Sequence, residues 1–215
     1  LAESKSEHNQ RADLLTPITK AWCSELCQDI TSIALQVHGG MGYVEETGAA
    51  QHFRDARITT IYEGTTGIQA NDLIGRKFIN DNGSAMNELL DQIENDIGVS
   101  SIEDNLKSEL NHAIEKSRNV SQFILENAQK DPNLAGASSY NFLMMMGYLV
   151  GGWIASRNIN AAKNKMKEND DFEFYNAKII SSTFYIEQFL PLVMSFGNSV
   201  MHGSKSMMSM PDEQF

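Results

Sequence analysis

Residues 35–77 read LQVHGGMGYVEETGAAQHFRDARITTIYEGTTGIQANDLIGRK, and this stretch decides how the rest of the chain is organised. The glycines Gly39 and Gly40 separate two helical patterns within it, and residues 62–65 (YEGT) interrupt the helical pattern again. A carboxylate in such a turn, here Glu63, is free to point away from its own helix. Backbone N–H groups that open the next helix bind anions or polar rings. We interpret the stretch as the functional centre.

The composition is that of an ordinary globular protein. The chain has 215 residues, of which 41% are hydrophobic and 21% charged, enough for one or two domains with a substantial core. The formal net charge of −11 argues against nucleic acid or an anionic membrane as a partner, because phosphate groups bind to basic patches. Cys23 and Cys27 are too few for a disulfide framework or a zinc site, so we expect both to be small core hydrophobes.

The start of the chain carries no targeting signal that the sequence reveals. It begins at Leu1, without an initiating methionine and without the pattern of a signal peptide, as expected of a piece of a longer protein. No signal is visible in this fragment, and the expected location is the cytoplasm of a bacterium or the mitochondrial matrix.

Apolar residues recur at three- and four-residue spacing, which predicts an all-α fold, an antiparallel helical bundle. The first helix is expected to begin at Thr16 and Pro17, a typical N-cap and first turn, and to end at the glycine cluster. Its predicted buried stripe comprises Ile18, Trp22, Leu26, Ile30, Ile33 and Val37. Shorter helices are expected over residues 45–56 and 66–78, with Thr65 as the N-cap of the second and irregular backbone at residues 58–61. Ile68, Leu73, Ile74 and Phe78 are expected to face inward.

A turn-rich segment, NDNGS at residues 80–84, is the clearest linker signal in the chain. It divides the chain into two expected domains, residues 1–80 and residues 85–215. The second domain is predicted to contain helices over residues 85–97, 106–128, 138–166 and 172–193, with Pro191 kinking or ending the last.

The third of these helices contains a stretch, residues 142–154, that is apolar nearly all round. Its Gly147 and Gly151 have a spacing that also pairs helices in membranes. The stretch is too short to span a bilayer, and basic residues follow it. We predict no membrane span and a central helix of a soluble bundle, whose glycines let a neighbouring helix approach closely.

Four motifs in the first domain, taken together, resemble those of one known family. Residues 36–43 (QVHGGMGY), 54–57 (RDAR), 61–65 (IYEGT) and Gln69 match, in order and spacing, the C-terminal helical domain of acyl-CoA dehydrogenases. Residues 85–215 resemble, in architecture more than in motif, the additional C-terminal helical region of a large-subunit branch of that family. The resemblance implies an oxidoreductase that converts an acyl-CoA thioester to the 2,3-enoyl-CoA.

The resemblance also implies a role for individual residues. Glu63 stands where the family places the base that removes the α-proton, and such a base works best when it is desolvated and its pKa is raised. The residues implied to contact substrate are Tyr62, Glu63 and Gly64. The residues implied to contact the cofactor are Gln36, Val37, His38, Gly39, Gly40, Gly64, Thr65, Thr66 and Gly67. Arg54, Asp55 and Arg57 are expected to brace the loop that carries Glu63, and no metal ligands are expected.

The implied cofactor is FAD in the full-length enzyme, and the implied partners are an acyl-CoA substrate and an electron-transfer acceptor such as a flavoprotein. A homodimer or homotetramer is expected. Because the family's N-terminal and middle domains are absent from this sequence, we expect the isolated fragment to be inactive and to hold FAD poorly. The alternative is a non-catalytic helical bundle that serves oligomer or partner assembly. Acyl chain length stays open.

Overall fold

The computed structural model describes residues 2–167 and 171–214, with side chains from residue 10 onward. The structure is 81% helical, and its described residues contain no strand, which confirms the all-α prediction. The helices are α1 (Ala2–Val37), α2 (Gly40–Tyr43), α3 (Ala49–Thr59), α4 (Thr66–Asn71), α5 (Ser84–Gly98), α6 (Asp104–Asn127), α7 (Leu134–Lys165), α8 (Phe172–Gln188) and α9 (Leu192–Met201). A 3-10 turn at Glu45–Thr47 precedes α3, and α4 continues as a π-helix over Asp72–Ile79. Two further 3-10 turns, Met207–Ser209 and Asp212–Gln214, lie in the C-terminal segment.

Helix α7 lies at the centre of the bundle, as its sequence predicts. It contacts α1, α4, α5, α6, α8 and α9. Its apolar stretch, residues 142–154, is buried except at Val150, Gly151 and Ile154. The phenyl rings of Phe78 and Phe142 lie 5.0 Å apart between centroids, so the core joins residues from both sides of the turn at residues 80–84.

Two glycines of α7 allow the close approach that their spacing suggests. A Cβ atom on Gly147 would lie 2.3 Å from Cγ of Trp22 on α1, and a Cβ on Gly151 would lie 2.1 Å from the hydroxyl oxygen of Tyr185 on α8. Neither neighbour could stay where it is beside a larger residue. Gly147 and Gly151 therefore set how near α1 and α8 lie to the central helix.

Helix α1 begins at Ala2, earlier than predicted, so Thr16 and Pro17 lie inside the helix and not at its start. The helix runs from Ala2 through Pro17, whose missing N–H removes one intrahelical hydrogen bond. Leu14 and Ile18, one turn apart on either side of the interruption, are each 1% exposed. Their burial on one face holds the helix together across the proline, and the Thr16 hydroxyl donates to the Ala12 carbonyl instead of capping.

The predicted stripe of α1 is buried only in its first part. Ile18 is buried and Trp22 and Leu26 are partly buried, whereas Ile30, Ile33 and Val37 are 63%, 60% and 80% exposed. Apolar periodicity predicts which face a helix can bury, but it does not say where along the helix a neighbour is present. Cys23 and Cys27 are also exposed, so the prediction that they fill the core is wrong.

The region around α3 and α4 differs from the prediction in two details. Residues 58 and 59 belong to α3, so the prediction of extended or irregular backbone is wrong for them, whereas residues 60 and 61 lie in the turn that residues 60–63 form. Ile68 is 60% exposed, whereas the other three residues predicted to face inward are buried. Thr65 caps α4 as predicted, because its hydroxyl accepts a hydrogen bond from the backbone N–H of Ile68.

One apolar stretch of the described chain, Phe172–Met201, is long and apolar enough to cross a membrane by length and composition alone. It folds as two helices, α8 and α9, because α8 ends at Gln188 before Pro191. Both helices pack on α7. Core helices of soluble proteins pass the same test, so the stretch is weak evidence for a membrane span.

Replacing Gly147 by alanine tests the close packing of α1 on α7. The new methyl group clashes with the Trp22 ring, and overpacking of this kind costs about 1–3 kcal/mol of unfolding free energy. The matched control is Gly136→Ala on the same helix, where a Cβ would meet nothing within 4 Å. There we expect a gain of up to about 1 kcal/mol, because alanine has the higher helix propensity. Urea denaturation followed by circular dichroism measures both, and equal midpoints for the two variants would contradict the packing described.

Candidate functional site

The YEGT segment forms a tight bend between α3 and α4. At the end of α3, the backbone N–H and the hydroxyl of Thr60 both donate to the carbonyl oxygen of Arg57. On the far side of the bend, the backbone N–H of Thr66 donates to the carbonyl oxygen of Thr60 at 3.2 Å. These bonds close the bend on itself, so residues 61–65 have a defined path between the two helices.

Glu63 and Gly64 occupy the tip of this bend in left-handed backbone conformations. Glu63 has φ of 53° and Gly64 has φ of 91°. This region is energetically unfavourable for any residue that has a Cβ atom, as Glu63 does. A Cβ on Gly64 would lie 2.8 Å from the side-chain nitrogen of Gln69. That same nitrogen donates to the Glu63 carbonyl oxygen at 3.1 Å, so Gln69 holds the tip from within α4. Left-handed backbone at residues other than glycine is enriched at functional sites, although Asn82, in the turn at residues 80–84, has it too.

Two polar side chains of α1, Lys20 and Glu25, form hydrogen bonds with the bend and with the first residue of α4. The Lys20 ammonium group donates to the Gly64 carbonyl oxygen at 2.6 Å and lies 5.9 Å from the centre of the Tyr62 ring. The Thr66 hydroxyl donates to a carboxylate oxygen of Glu25 at 2.5 Å. Lys20 and Glu25 were not singled out from the sequence, because each lies about forty residues from its partner and carries no local signal.

The Glu63 side chain is exposed, as is that of Tyr62. The backbone of the bend is fixed by Gln69, Lys20 and Thr60, whereas no described hydrogen bond or ion pair holds the Glu63 carboxylate. The arrangement presents an exposed carboxylate on a bend whose backbone is held by several hydrogen bonds.

The glycine corner lies at the end of α1, where Gln36 and the residues to Gly40 are all exposed. Gly39 has φ of 60°, and a Cβ on Gly39 or Gly40 would meet nothing within 4 Å. Gly42 is different, because a Cβ there would lie 2.2 Å from the Leu35 carbonyl oxygen. Gly42 is therefore required by the fold, whereas Gly39 and Gly40 leave open space beside the backbone.

The residues predicted for the cofactor differ in how available they are. Thr65 is exposed and Gly67 has open space where a Cβ would be, so both are accessible. Thr66 is the least available, because its side chain is 8% exposed, its hydroxyl is bonded to Glu25 and its N–H to Thr60.

The side chains of Arg54 and Asp55 do not brace the Glu63 bend, contrary to expectation. Arg54 forms two hydrogen bonds of 2.8 Å with the carboxylate of Glu45, and Asp55 accepts one from Gln51. The hydrogen bonds from Arg54 lower the pKa of Glu45. This pair fastens the 3-10 turn to α3, and Arg57 supports the bend through its backbone carbonyl alone, as far as the described contacts go. Within the described residues, no group of three or more His, Cys, Asp or Glu side chains could hold a metal ion.

The left-handed conformation of Glu63 gives a prediction for stability. We expect Glu63→Gly to be more stable than Glu63→Ala by about 1 kcal/mol, because glycine adopts positive φ without a Cβ penalty. The control position is Glu115, an exposed glutamate within α6, where the order should reverse by roughly 1 kcal/mol. Chemical denaturation of the four variants measures both differences. The same order at both positions would contradict the conformation of the bend.

Two family models match the chain. The model described as "Acyl-CoA dehydrogenase, C-terminal domain" matches residues 2–78, and the model described as "Acetyl-CoA dehydrogenase C-terminal like" matches residues 86–211.

Curated relatives include two dehydrogenases aligned over most of the chain. The 3-methylmercaptopropionyl-CoA dehydrogenase of Ruegeria pomeroyi is 38% identical over 192 residues, which are 87% of this chain and 33% of that protein. A broad-specificity linear acyl-CoA dehydrogenase of Mycobacterium tuberculosis is 32% identical over 195 residues, which are 85% of this chain and 32% of that protein. A subunit of the caffeyl-CoA reductase-Etf complex of Acetobacterium woodii is 38% identical over 68 residues, 32% of this chain and 18% of that protein.

The chain spans about a third of the length of the first two relatives. One family model covers more than half of the chain, and the other covers the part that carries the Glu63 bend. The chain therefore belongs to the acyl-CoA dehydrogenase family.

Proposed function

We propose that this chain forms the carboxyl-terminal third of an FAD-dependent acyl-CoA dehydrogenase, in which Glu63 is the catalytic base. The observation that carries the proposal is the position of Glu63. Its carboxylate is exposed and without a described partner, while its backbone is strained and fixed by Gln69 and by the adjacent contact from Lys20. A structural glutamate has no need of such a support, whereas a base must be held within reach of the proton that it takes.

In the proposed reaction, Glu63 accepts the α-proton of the acyl-CoA thioester. Bound FAD would supply the acceptor for the β-hydrogen, which leaves as hydride, so that loss of the two hydrogens gives a carbon–carbon double bond. The exposed Glu63 needs cover from bound substrate, cofactor and the remaining parts of the enzyme, since desolvation favours proton uptake by a carboxylate. The chain's own contribution is to position the base and to hold it on a bend that does not collapse.

The glycine corner and the start of α4 fit the proposed cofactor. Open space beside Gly39, Gly40 and Gly67 lets a dinucleotide approach the backbone without a clash. The exposed Gln36 would supply a polar side chain to it, together with the backbone of Val37 and His38. Thr65 and Gly64 would contact it at the other segment. Among the predicted contacts, Thr66 contributes least, because its polar atoms are engaged within the protein.

The substrate is proposed to be an acyl-CoA, in line with the names of the two dehydrogenases described above, one of which acts on a sulfur-containing acyl group and the other on linear ones. An electron-transfer flavoprotein is the proposed acceptor, and the relative from an Etf complex supports this choice. A homodimer or homotetramer is proposed for the complete enzyme.

Replacing Glu63 by glutamine in the complete enzyme tests the proposed base. The amide keeps the size and polarity of the side chain but cannot accept the α-proton, so we expect turnover of acyl-CoA to fall by about a hundred- to ten-thousandfold, the range for a lost general base. The matched control is Glu46→Gln, an exposed glutamate of the 3-10 turn, which should keep wild-type turnover. Turnover that survives Glu63→Gln would sink the assignment and favour a bundle that serves assembly.

The isolated 215-residue chain should show no acyl-CoA dehydrogenase activity and should not retain FAD through gel filtration. The reason is that nothing in this chain covers the site, because Glu63, Tyr62 and the glycine corner are exposed to solvent. Absorbance near the flavin maximum and an acyl-CoA assay with an artificial acceptor measure this. A purified chain that is yellow and turns over acyl-CoA would contradict the proposal that further domains complete the site.

A further inference from the structure

The ammonium group of Lys20 is bound to a backbone carbonyl oxygen and not to a carboxylate. Lys20 is partly buried, and its hydrogen bond of 2.6 Å goes to the carbonyl oxygen of Gly64. No ion pair of Lys20 is found among residues 10–167 and 171–214. A partly buried charge loses hydration that a single hydrogen bond replaces only in part. The fastening of a loop does not by itself account for a lysine at this position.

Two successive peptide groups that follow the Cα atom of Glu63 are each held by a side chain. The Glu63 carbonyl oxygen accepts a hydrogen bond from Gln69 at 3.1 Å, and the Gly64 carbonyl oxygen accepts one from Lys20 at 2.6 Å. The direction in which a side chain leaves its Cα atom is set by the backbone on either side of it. The two hydrogen bonds therefore fix the direction in which the Glu63 side chain starts.

The contact from Lys20 is the stronger of these two. Hydrogen bonds with an ionised partner are roughly twice as strong as neutral ones, and Gln69 supplies only a neutral amide. Gly64 restrains the path little by itself, because glycine adopts positive and negative φ about equally readily. Loss of the contact from Lys20 would therefore let the peptide group after Gly64 rotate and would release the backbone next to Glu63.

Lys20 contacts both neighbours of Glu63 in the sequence and leaves the Glu63 carboxylate unpaired. Its ammonium nitrogen lies 5.9 Å from the centre of the Tyr62 ring, a distance at which a cation is attracted to the ring face. No hydrogen bond or ion pair joins Lys20 to the Glu63 carboxylate among the described contacts. A direct ion pair would favour the charged carboxylate and make it a weaker base. Lys20 is thus placed to orient the base without weakening it.

We propose that Lys20 is a positioning residue for removal of the α-proton. Through its contacts with Gly64 and Tyr62, it keeps the Glu63 carboxylate directed at the α-carbon of the bound acyl-CoA. The ammonium group stays protonated throughout and transfers no proton. This inference rests on the proposed function of Glu63 as the base. A displacement of about 1 Å at a reacting group can cost about a hundredfold in rate, so the contact serves the rate of reaction more than the binding of substrate.

Lys20→Met in the complete enzyme removes the ammonium group and keeps the length of the side chain. Lys20→Gln, whose side chain is one bond shorter, is measured beside it. Turnover per bound FAD is followed with octanoyl-CoA or 3-methylmercaptopropionyl-CoA, whichever the wild type converts faster. We expect kcat to fall about ten- to hundredfold in both variants, while KM changes less than about threefold. The matched control is Lys163→Met, which removes a lysine hydrogen bond to the Ser101 carbonyl oxygen and should keep wild-type kcat.

Deuterium at the α-carbon of the substrate separates positioning from general damage. The isotope effect on kcat in the two Lys20 variants should equal or exceed that of the wild type, because removal of the α-proton is the step that becomes slower. A smaller fall in kcat in both variants, or a fall with a reduced isotope effect, would overturn the proposal. Glu63→Gln keeps the two questions apart. Turnover that survives in Glu63→Gln refutes the base, whereas its loss beside unchanged Lys20 variants refutes only the role of Lys20.

Discussion

The hydrogen bond from the Lys20 ammonium group to the Gly64 carbonyl oxygen ties the candidate catalytic bend to α1, the longest helix among the described residues. The bend has left-handed backbone at two successive residues, Glu63 and Gly64, and such a path persists only where its surroundings hold it. Gln69 holds the same tip from α4, and Glu25 holds Thr66 where α4 begins. These contacts hold the backbone from which the carboxylate of Glu63 projects.

The position of Lys20 depends in turn on how α1 packs against the rest of the bundle. Trp22, two residues further along α1, lies against α7 at a place where only glycine leaves enough room. The central helix therefore fixes α1, and α1 fixes the bend. The region after residue 80 therefore contributes to the site indirectly, because it supplies α7, the helix against which α1 packs. It contributes no residue to the bend itself.

The sequence predicts the features of this site that are local. Thr65 as a cap, the end of α1 before Gly39, and the two close-packing glycines of α7 all follow from the chemistry of single residues or short spacings. Features that depend on residues distant in the sequence were either not predicted or predicted wrongly. Pro17 lies within a helix, which the burial of Leu14 and Ile18 stabilises. Arg54 forms an ion pair with Glu45 and does not contact the bend.

The exposed end of α1 shows the same limit. Ile30, Ile33 and Val37 continue the apolar stripe of Ile18 and were predicted to be buried, but no described element covers them. Periodicity records what a helix face is suited to contact, while burial depends on what is present. The contacts of Lys20 and Glu25 with the bend could not be read from sequence for a related reason, since nothing near either residue in the chain indicates its partner.

We propose that the Glu63 carboxylate, among all carboxylates of the complete enzyme, meets the α-carbon of the substrate. A crystal structure of the complete enzyme with FAD and an unreactive acyl-CoA analogue measures this distance directly. We expect a Glu63 carboxylate oxygen about 3–3.5 Å from the α-carbon, the separation of reacting atoms in a productive complex. A different carboxylate at that distance, with Glu63 turned to solvent, would contradict it.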